Sequence, residues 1–373
     1  MLATAPPVHG WPQMRLAWVL PCRHTPTHMT NPASVARSLA PASATCLPEW
    51  QRQAAAARIA TGELLARLGL QAGNFPAGLI TDPAFPVLVP PHFLAQMRHG
   101  DAADPLLLQV LARGEEDWPQ PGRLTDPLAE ANYRAAPGLL RKYRSRALLM
   151  ASGACAIHCR YCFRRHSDYG SIMLTRTREA DALASIAADP AIDEVILSGG
   201  DPLNLTDARL AGLIEAVAAI RHITTLRLHS RTLVAIPARV TDDLLAIITA
   251  TRLRVVIVLH SNHANELSAD VAAAMARLRD AGATLLNQSV LLAGINDTAP
   301  TIAAHCRRLF GCGVLPYYMH LTDPVAGAAH FDVDEARARV IETELRALLP
   351  GYLVPRFVRE VPGRDAKTPL ADL

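Results

Sequence analysis

The 373-residue chain has no run of eighteen apolar residues, so no segment can cross a bilayer as a helix, and the sequence predicts no transmembrane span and no membrane partner. The stretch "MRLAWVL" near the start is too short for a signal core, and "PCRHTPTH" follows it where small residues would mark a cleavage site. Charge of one sign is also scarce. The formal net charge is +3 with histidine neutral, which excludes a nucleic-acid binder working mainly by phosphate neutralisation. A disulfide framework is missing too: the seven cysteines are odd in number and three fall within eight residues, a pattern of metal ligation in a reducing cytoplasm. What remains is a chain that is 50% apolar and long enough to bury a large core, neither fibrous nor disordered overall.

Residues 1–45 are rich in Pro, Ala, Ser and Thr without sustained periodicity and are expected to form a disordered leader, with Met29 as an alternative start. Residues 46–140 are expected to be an accessory helical region: "PEWQRQAAAARIATGELLARLGL" (48–70) has helical spacing, and "LITDPAFPVLVPPHFLAQM" is cut by prolines before another helix. From residue 141 to 350, short apolar, β-branched runs alternate with longer amphipathic stretches. The runs are 146–152, 193–199, 224–230, 253–261, 283–292 and 313–321, with helical segments near 175–190, 206–221, 240–251, 264–281, 299–311 and 334–348. Six strand-then-helix units in series predict an α/β fold with a parallel sheet covered by helices. Polar clusters at the ends of the runs favour an open, partial TIM-like barrel of about six βα units over a doubly wound sheet. Residues 351–373 form a C-terminal segment carrying Lys367.

The sharpest cluster is "CAIHCRYCFRRH" (155–166), in which Cys155, Cys159 and Cys162 are spaced C-x3-C-x2-C. Three thiolates can hold three corners of a [4Fe–4S] cube and leave one iron open. A zinc knuckle completed by His158 or His166 is the alternative, but zinc sites usually come as two ligand pairs, and Cys306 with Cys312, or Cys22 with Cys46, makes no such second pair. "SGGDPL" ends the second run with Ser198, Gly199, Gly200 and Asp201, where glycines would let a ligand approach the backbone closely. His229 to Arg231 end the third run and His260 to Asn262 the fourth. Near the end of the chain, the amine of Lys367 follows a Gly-containing loop and could form a Schiff base with pyridoxal phosphate (PLP).

The C-x3-C-x2-C loop, with Tyr161 before its last cysteine, resembles that of the radical S-adenosylmethionine (SAM) enzymes, in which the open iron chelates SAM. Within them, the stretch from about Pro48 onward is similar to the lysine 2,3-aminomutase family. The resemblance is carried by "RKYRSRALLM", the cysteine loop, "SGGDPL", "HSRTLVAIPARVT", "NQSVLLAGIND", "LPYYMHLTDPVAGAAHF" and "KTPL", in that order. It implies a [4Fe–4S] cluster on the three cysteines, SAM contacts from Ser198, Gly199, Gly200 and Asp201, and Lys367 as the lysine that bonds PLP, while His229, Arg231 and His260 are further candidate SAM contacts by their place at the ends of the third and fourth runs. It further implies that Lys142, Tyr143 and Arg146 hold the PLP phosphate, that Gln288 contacts the cofactor, and that Arg164 clamps the substrate carboxylate. Asp323 and Glu360 fall where the family reads the distal ammonium of lysine; at 360 the family has an aspartate.

Thr298 replaces the cysteine that follows "ND" in zinc-bearing relatives, and no cysteine cluster follows Lys367, so no structural zinc is expected. This short form resembles the branch that makes β-lysine for modification of elongation factor P, which implies a functional link to that factor and its lysyl ligase, together with an electron donor. Nucleic acid is not an expected partner, and the oligomeric state, homo-oligomer included, stays open. The rival activities are an aminomutase for glutamate or arginine and, in a different class, a non-catalytic zinc-binding interaction protein.

Overall fold

In a computed structural model of the protein the described residues are 47–373. The expected leader, the alternative start at Met29 and the pair Cys22 and Cys46 lie outside them. Ten strands form one sheet in sequence order: β1 (Arg134–Ala136), β2 (Leu139–Tyr143), β3 (Arg146–Ser152), β4 (Glu194–Gly199), β5 (Thr225–Ser230), β6 (Arg254–His260), β7 (Thr284–Val290), β8 (Leu315–His320), β9 (Arg356–Arg359) and β10 (Thr368–Pro369). Strands β3 to β9 are parallel, and the outermost strands do not pair with each other, so the barrel is open.

The six apolar runs become β3 to β8. Parallel strands need long crossovers, and each here carries a helix: Arg176–Ala187, Asp207–Ala218, Asp242–Ala250, Ala269–Asp280, Ala299–Gly311 and Glu335–Leu348. The helices start abruptly because Thr206, Thr241, Ser268, Thr298 and Asp334 each accept a backbone N–H in the first turn. Alternation along each strand sends one set of side chains outward to the helices and the other inward. Leu226 and Leu228 of β5 pack in the core with Leu197, Ile257 and the helical Leu213, Val217 and Leu244, whereas Arg227 and His229 line the cavity inside the sheet.

The structure departs from expectation at both ends. Residues 48–70 form two short helices, Glu49–Ala55 and Thr61–Arg67, because between them Ile59 N–H bonds Val87 O and Val89 N–H bonds Ala57 O. Backbone donors spent on that strand-like pairing cannot continue a helix. The antiparallel β1–β2 hairpin and the pair β9–β10 are additional strands. In the latter, Thr368 faces Arg359, which brings Lys367 beside Glu360, seven positions away along the chain.

Candidate active site

A cavity of about 500 Å³ opens at the carboxyl ends of the parallel strands, the end at which barrels of this type carry chemistry. The cysteine loop forms one wall. Gly200 N–H donates to Ser152 O (2.7 Å) and Asp201 N–H to Ala154 O (2.9 Å), so the tip of β4 is bonded to the start of that loop. The two glycines are required by this contact: a Cβ on Gly199, at φ +110°, would lie 2.5 Å from Ser152 O, and one on Gly200 2.5 Å from Ala154 O. The approach of the chain to itself is thus sufficient reason for both to be glycine.

Behind the loop, Arg160 is fully buried and its guanidinium is gripped by Glu116 (2.7 and 2.5 Å), which also pairs with Arg165. Cys155, Cys159 and Cys162 all face the cavity. Burial, and then the neighbouring acidic groups, push the Cys155 thiol up; burial and Cys159 push Cys162 to about 11. Three thiols on one cavity wall, two of them hindered from ionising, fit a polynuclear cation seated among them, whose charge would favour the thiolates. The histidines that would complete a zinc knuckle point elsewhere: His158 Nδ1 meets Pro86 O (2.8 Å) and His166 Nε2 meets Ala326 O (2.9 Å). Cys306 and Cys312 are buried in the packing around the Ala299–Gly311 helix.

The other strand tips divide into groups spent on the protein and groups open to a ligand. Asp201 accepts from Ser230 Oγ (3.0 Å) and from the backbone N–H groups of Leu203, Arg231 and Thr232, so its carboxylate ties β4 to β5. Arg231 donates to Cys159 Sγ (3.0 Å) and Gln109 (2.8 Å), and His260 Nε2 meets Tyr161 OH (2.9 Å). By contrast, the buried Nε2 atoms of His229 and His320 have no partner among the described residues, and the Ser198 side chain borders the same space. Burial holds both imidazoles well below their usual pKa, hence neutral, and Gln288 Nε2 stands 3.5 Å from His229 Nδ1.

The opposite wall is cationic. Lys142 and Tyr143 at the end of β2, Arg146 at the start of β3 and Lys367 before β10 converge on the cavity. Glu360 sits in their midst, paired with Lys142, Tyr143 OH (2.6 Å) and Lys367 Nζ (2.5 Å). Burial would raise this carboxyl, but Lys367 and the hydrogen bonds hold it at about 2. Arg146 stacks over the Tyr143 ring and keeps a buried Nε without a partner. Two cations, a hydroxyl and an orphaned guanidinium donor fit a phosphate, and the amine of Lys367 fits an aldehyde. Glu360 thus lies between the two lysines. Asp323 is raised to about 7 by burial, against the pull of Lys367, and among the described residues no hydrogen bond to its carboxylate accompanies the shift.

Arg164 has a partner that the sequence did not suggest. Its Nε and Nη2 donate to the two oxygens of Glu130 (2.8 and 2.6 Å) and its Nη1 to Gly199 O (3.1 Å). Burial would lower the guanidinium pKa, and Glu130 overcomes this and raises it. No motif links residues 130 and 164; only the fold does. A compositional signal was available elsewhere: the chain has just two lysines, Lys142 and Lys367, and both lie in this cavity.

A family profile described as "4Fe-4S single cluster domain" matches residues 143–250. The L-lysine 2,3-aminomutase of Escherichia coli (strain K12) is 46% identical over 86% of this chain and 94% of its own length. That of Haemophilus influenzae is 44% identical over 83% and 91%. The enzyme of Clostridium subterminale is 33% identical over 76% of this chain and 68% of its own. With thiols, strand tips and basic wall gathered in one open parallel barrel, and identity at this level across nearly the whole of the shorter relatives, the chain belongs to the lysine 2,3-aminomutase family of radical SAM enzymes.

Proposed function

We propose that the protein converts L-α-lysine to β-lysine, with a [4Fe–4S] cluster on Cys155, Cys159 and Cys162, SAM at the open iron, and PLP on Lys367. The observation that carries this is one cavity with the thiols on one wall and both lysines of the chain on the other. When bound, cluster and SAM supply a hydrogen-abstracting radical, and PLP supplies the π-system through which an amino group moves between adjacent carbons. The chain's own groups position and shield. Lys142, Tyr143 and Arg146 bind the phosphate, Gln288 and His229 border the cofactor, Ser198 and His260 border SAM, and Arg164 takes the substrate carboxylate.

Asp323 is the better reader of the distal ammonium. A half-buried carboxyl whose pKa is raised to about 7 by burial gains most from an incoming cation. Glu360, already shared by two lysines, serves first as their counter-ion. The product is proposed to serve β-lysylation of elongation factor P, in keeping with the higher identity to the Escherichia coli relative than to the clostridial one.

Anaerobic assay of reconstituted protein with lysine, SAM, PLP and a reductant tests the reading. β-Lysine is the expected product. A preference for glutamate would defeat the role of Asp323, and one zinc per chain without iron or labile sulfide would defeat the radical chemistry.

A further inference from the structure

Arg164 is 8% exposed, a guanidinium held deep in the wall, and Glu130 reaches it from outside the strand tips. Glu130 begins a tight turn, Glu130–Tyr133, whose cap Ala129 has φ +49°, the one left-handed non-glycine residue among those described. Backbone in that region is rarely adopted by L residues and persists where surrounding contacts fix it. The fixing contacts are present: the Asp126 carboxylate accepts from Glu130 N–H (3.1 Å) and Ala131 N–H (3.4 Å). At its far end, Tyr133 OH accepts Gly363 N–H (2.7 Å) from the loop that leads to Lys367, and Lys142 Nζ lies 5.3 Å from the centre of the Tyr133 ring. One small turn therefore touches both the arginine and the loop of the cavity lysine.

We infer that Glu130 is a positioning residue for the proposed reaction: it pins one edge of Arg164 so that the remaining N–H groups are presented, already oriented, to the substrate carboxylate. This rests on the reading of Arg164 as the carboxylate clamp. A guanidinium has five N–H donors. Glu130 takes one on Nε and one on Nη2 and Gly199 O one on Nη1, which leaves one hydrogen on each Nη. A second carboxylate fits across those two. The opposing effect is repulsion between Glu130 and the incoming anion. Orientation outweighs it because a long, otherwise unpinned arginine must be ordered at the moment of binding, which weakens affinity up to about tenfold per side chain.

Calorimetric titration of the PLP- and SAM-loaded protein without reductant measures binding with no turnover, using lysine and its amide, lysinamide, which lacks the carboxylate. Glu130→Gln is expected to weaken lysine about tenfold, to leave lysinamide unchanged, and to add nothing further in an Arg164→Lys background. Tighter lysine binding by Glu130→Gln would mean that Glu130 competes with substrate, and equal weakening of both ligands would mean a general structural role; either overturns the inference. If Arg164→Lys leaves the preference for lysine over lysinamide intact, the carboxylate reading of Arg164 itself falls. If Arg164→Lys abolishes that preference while Glu130→Gln retains it, the clamp stands and the positioning role falls. Iron content and melting temperature report folding of each variant. Glu130→Asp, which keeps the charge with one methylene less reach, is the second arm, with an intermediate loss expected and an unchanged affinity for both ligands counting against the inference.

Discussion

Replacing Asp323 with Asn should make the protein more stable and a poorer binder of lysine. The Asp323 carboxyl is raised from 3.8 to about 7, chiefly by burial, with Glu360 adding to the rise and Lys367, Arg359 and Lys142 resisting it. A folded-state pKa above the unfolded value means that the folded chain holds the extra proton between the two, so stability falls as pH rises from about 3.8 to 7 and is level above that. Three units correspond to a ceiling of roughly 4 kcal/mol, and partial exposure of the side chain trims this to about 2–3 kcal/mol. Asn has the same shape without the charge. Its advantage over wild type should be negligible near pH 4, grow through pH 6 and reach its full value by pH 8, as a rise of several degrees in melting temperature. Lysine binding should move the other way by about 100-fold, the loss on removing one partner of a buried charge pair. Thermal melts at pH 5.5, 7 and 8, paired with lysine titrations, measure both. A variant that melts below wild type at pH 8, or binds lysine equally well, would refute the picture of a carboxylate awaiting a cation.

Cys159→Ala should hold no cluster after reconstitution while Cys306→Ala retains one, measured as iron and labile sulfide per chain; full cluster in the former would show that the loop is not the ligand set. Lys367→Ala should keep iron but fail to develop the visible imine absorbance of added PLP, and normal turnover by that variant would overturn the PLP assignment. Glu116→Ala leaves the fully buried Arg160 without its carboxylate and should lower stability by about 3–5 kcal/mol. Because Arg160 lies between Cys159 and Tyr161, the same variant should lose iron to a chelator faster, and equal loss rates would show that the ion pair does not brace the loop.

The barrel was legible because strands covered on both faces by helices and core write themselves as apolar runs, and because five of the six crossover helices open on a capping side chain. Even the direction of β5 was encoded: in "TTLRLHS" Leu226 and Leu228 alternate with Arg227 and His229, and the two polar residues face the cavity. The strands that were not foreseen, β1, β2, β9 and β10, are two to five residues long and mix polar with apolar residues without a sustained alternation. They are strands by virtue of the neighbour each extends, which no local pattern records. In the site, contiguous chemistry such as the cysteine loop could be read directly, while Glu130 and Arg164, thirty-four residues apart, could be paired only by the fold. Glu360 shows the same limit: its identity and spacing from Lys367 were visible, but its sharing between two lysines depends on the β9–β10 register and on the end of β2.

The two lysines carry the last step. Thirty-five of the thirty-seven Lys and Arg residues are arginine, so this chain meets nearly every need for surface charge, ion pairing and helix capping without an ammonium group. Arginine cannot lose its proton at accessible pH and offers no nucleophilic amine. Lysine at 367 therefore marks a position where something beyond positive charge is required, and a Schiff base with an aldehyde is such a requirement. Lys142 poses the harder question, since a phosphate is well served by arginine and Arg146 stands nearby. Its geometry supplies the reason: Lys142 Nζ is wedged between the Tyr133 ring and the Glu360 carboxylate, a space for a compact point charge rather than a planar fork. The same carboxylate that balances Lys142 balances Lys367, so an anion arriving at one lysine loosens the hold of Glu360 on both. Capture of a phosphate at Lys142 would then free Lys367 Nζ from the carboxylate the two lysines share.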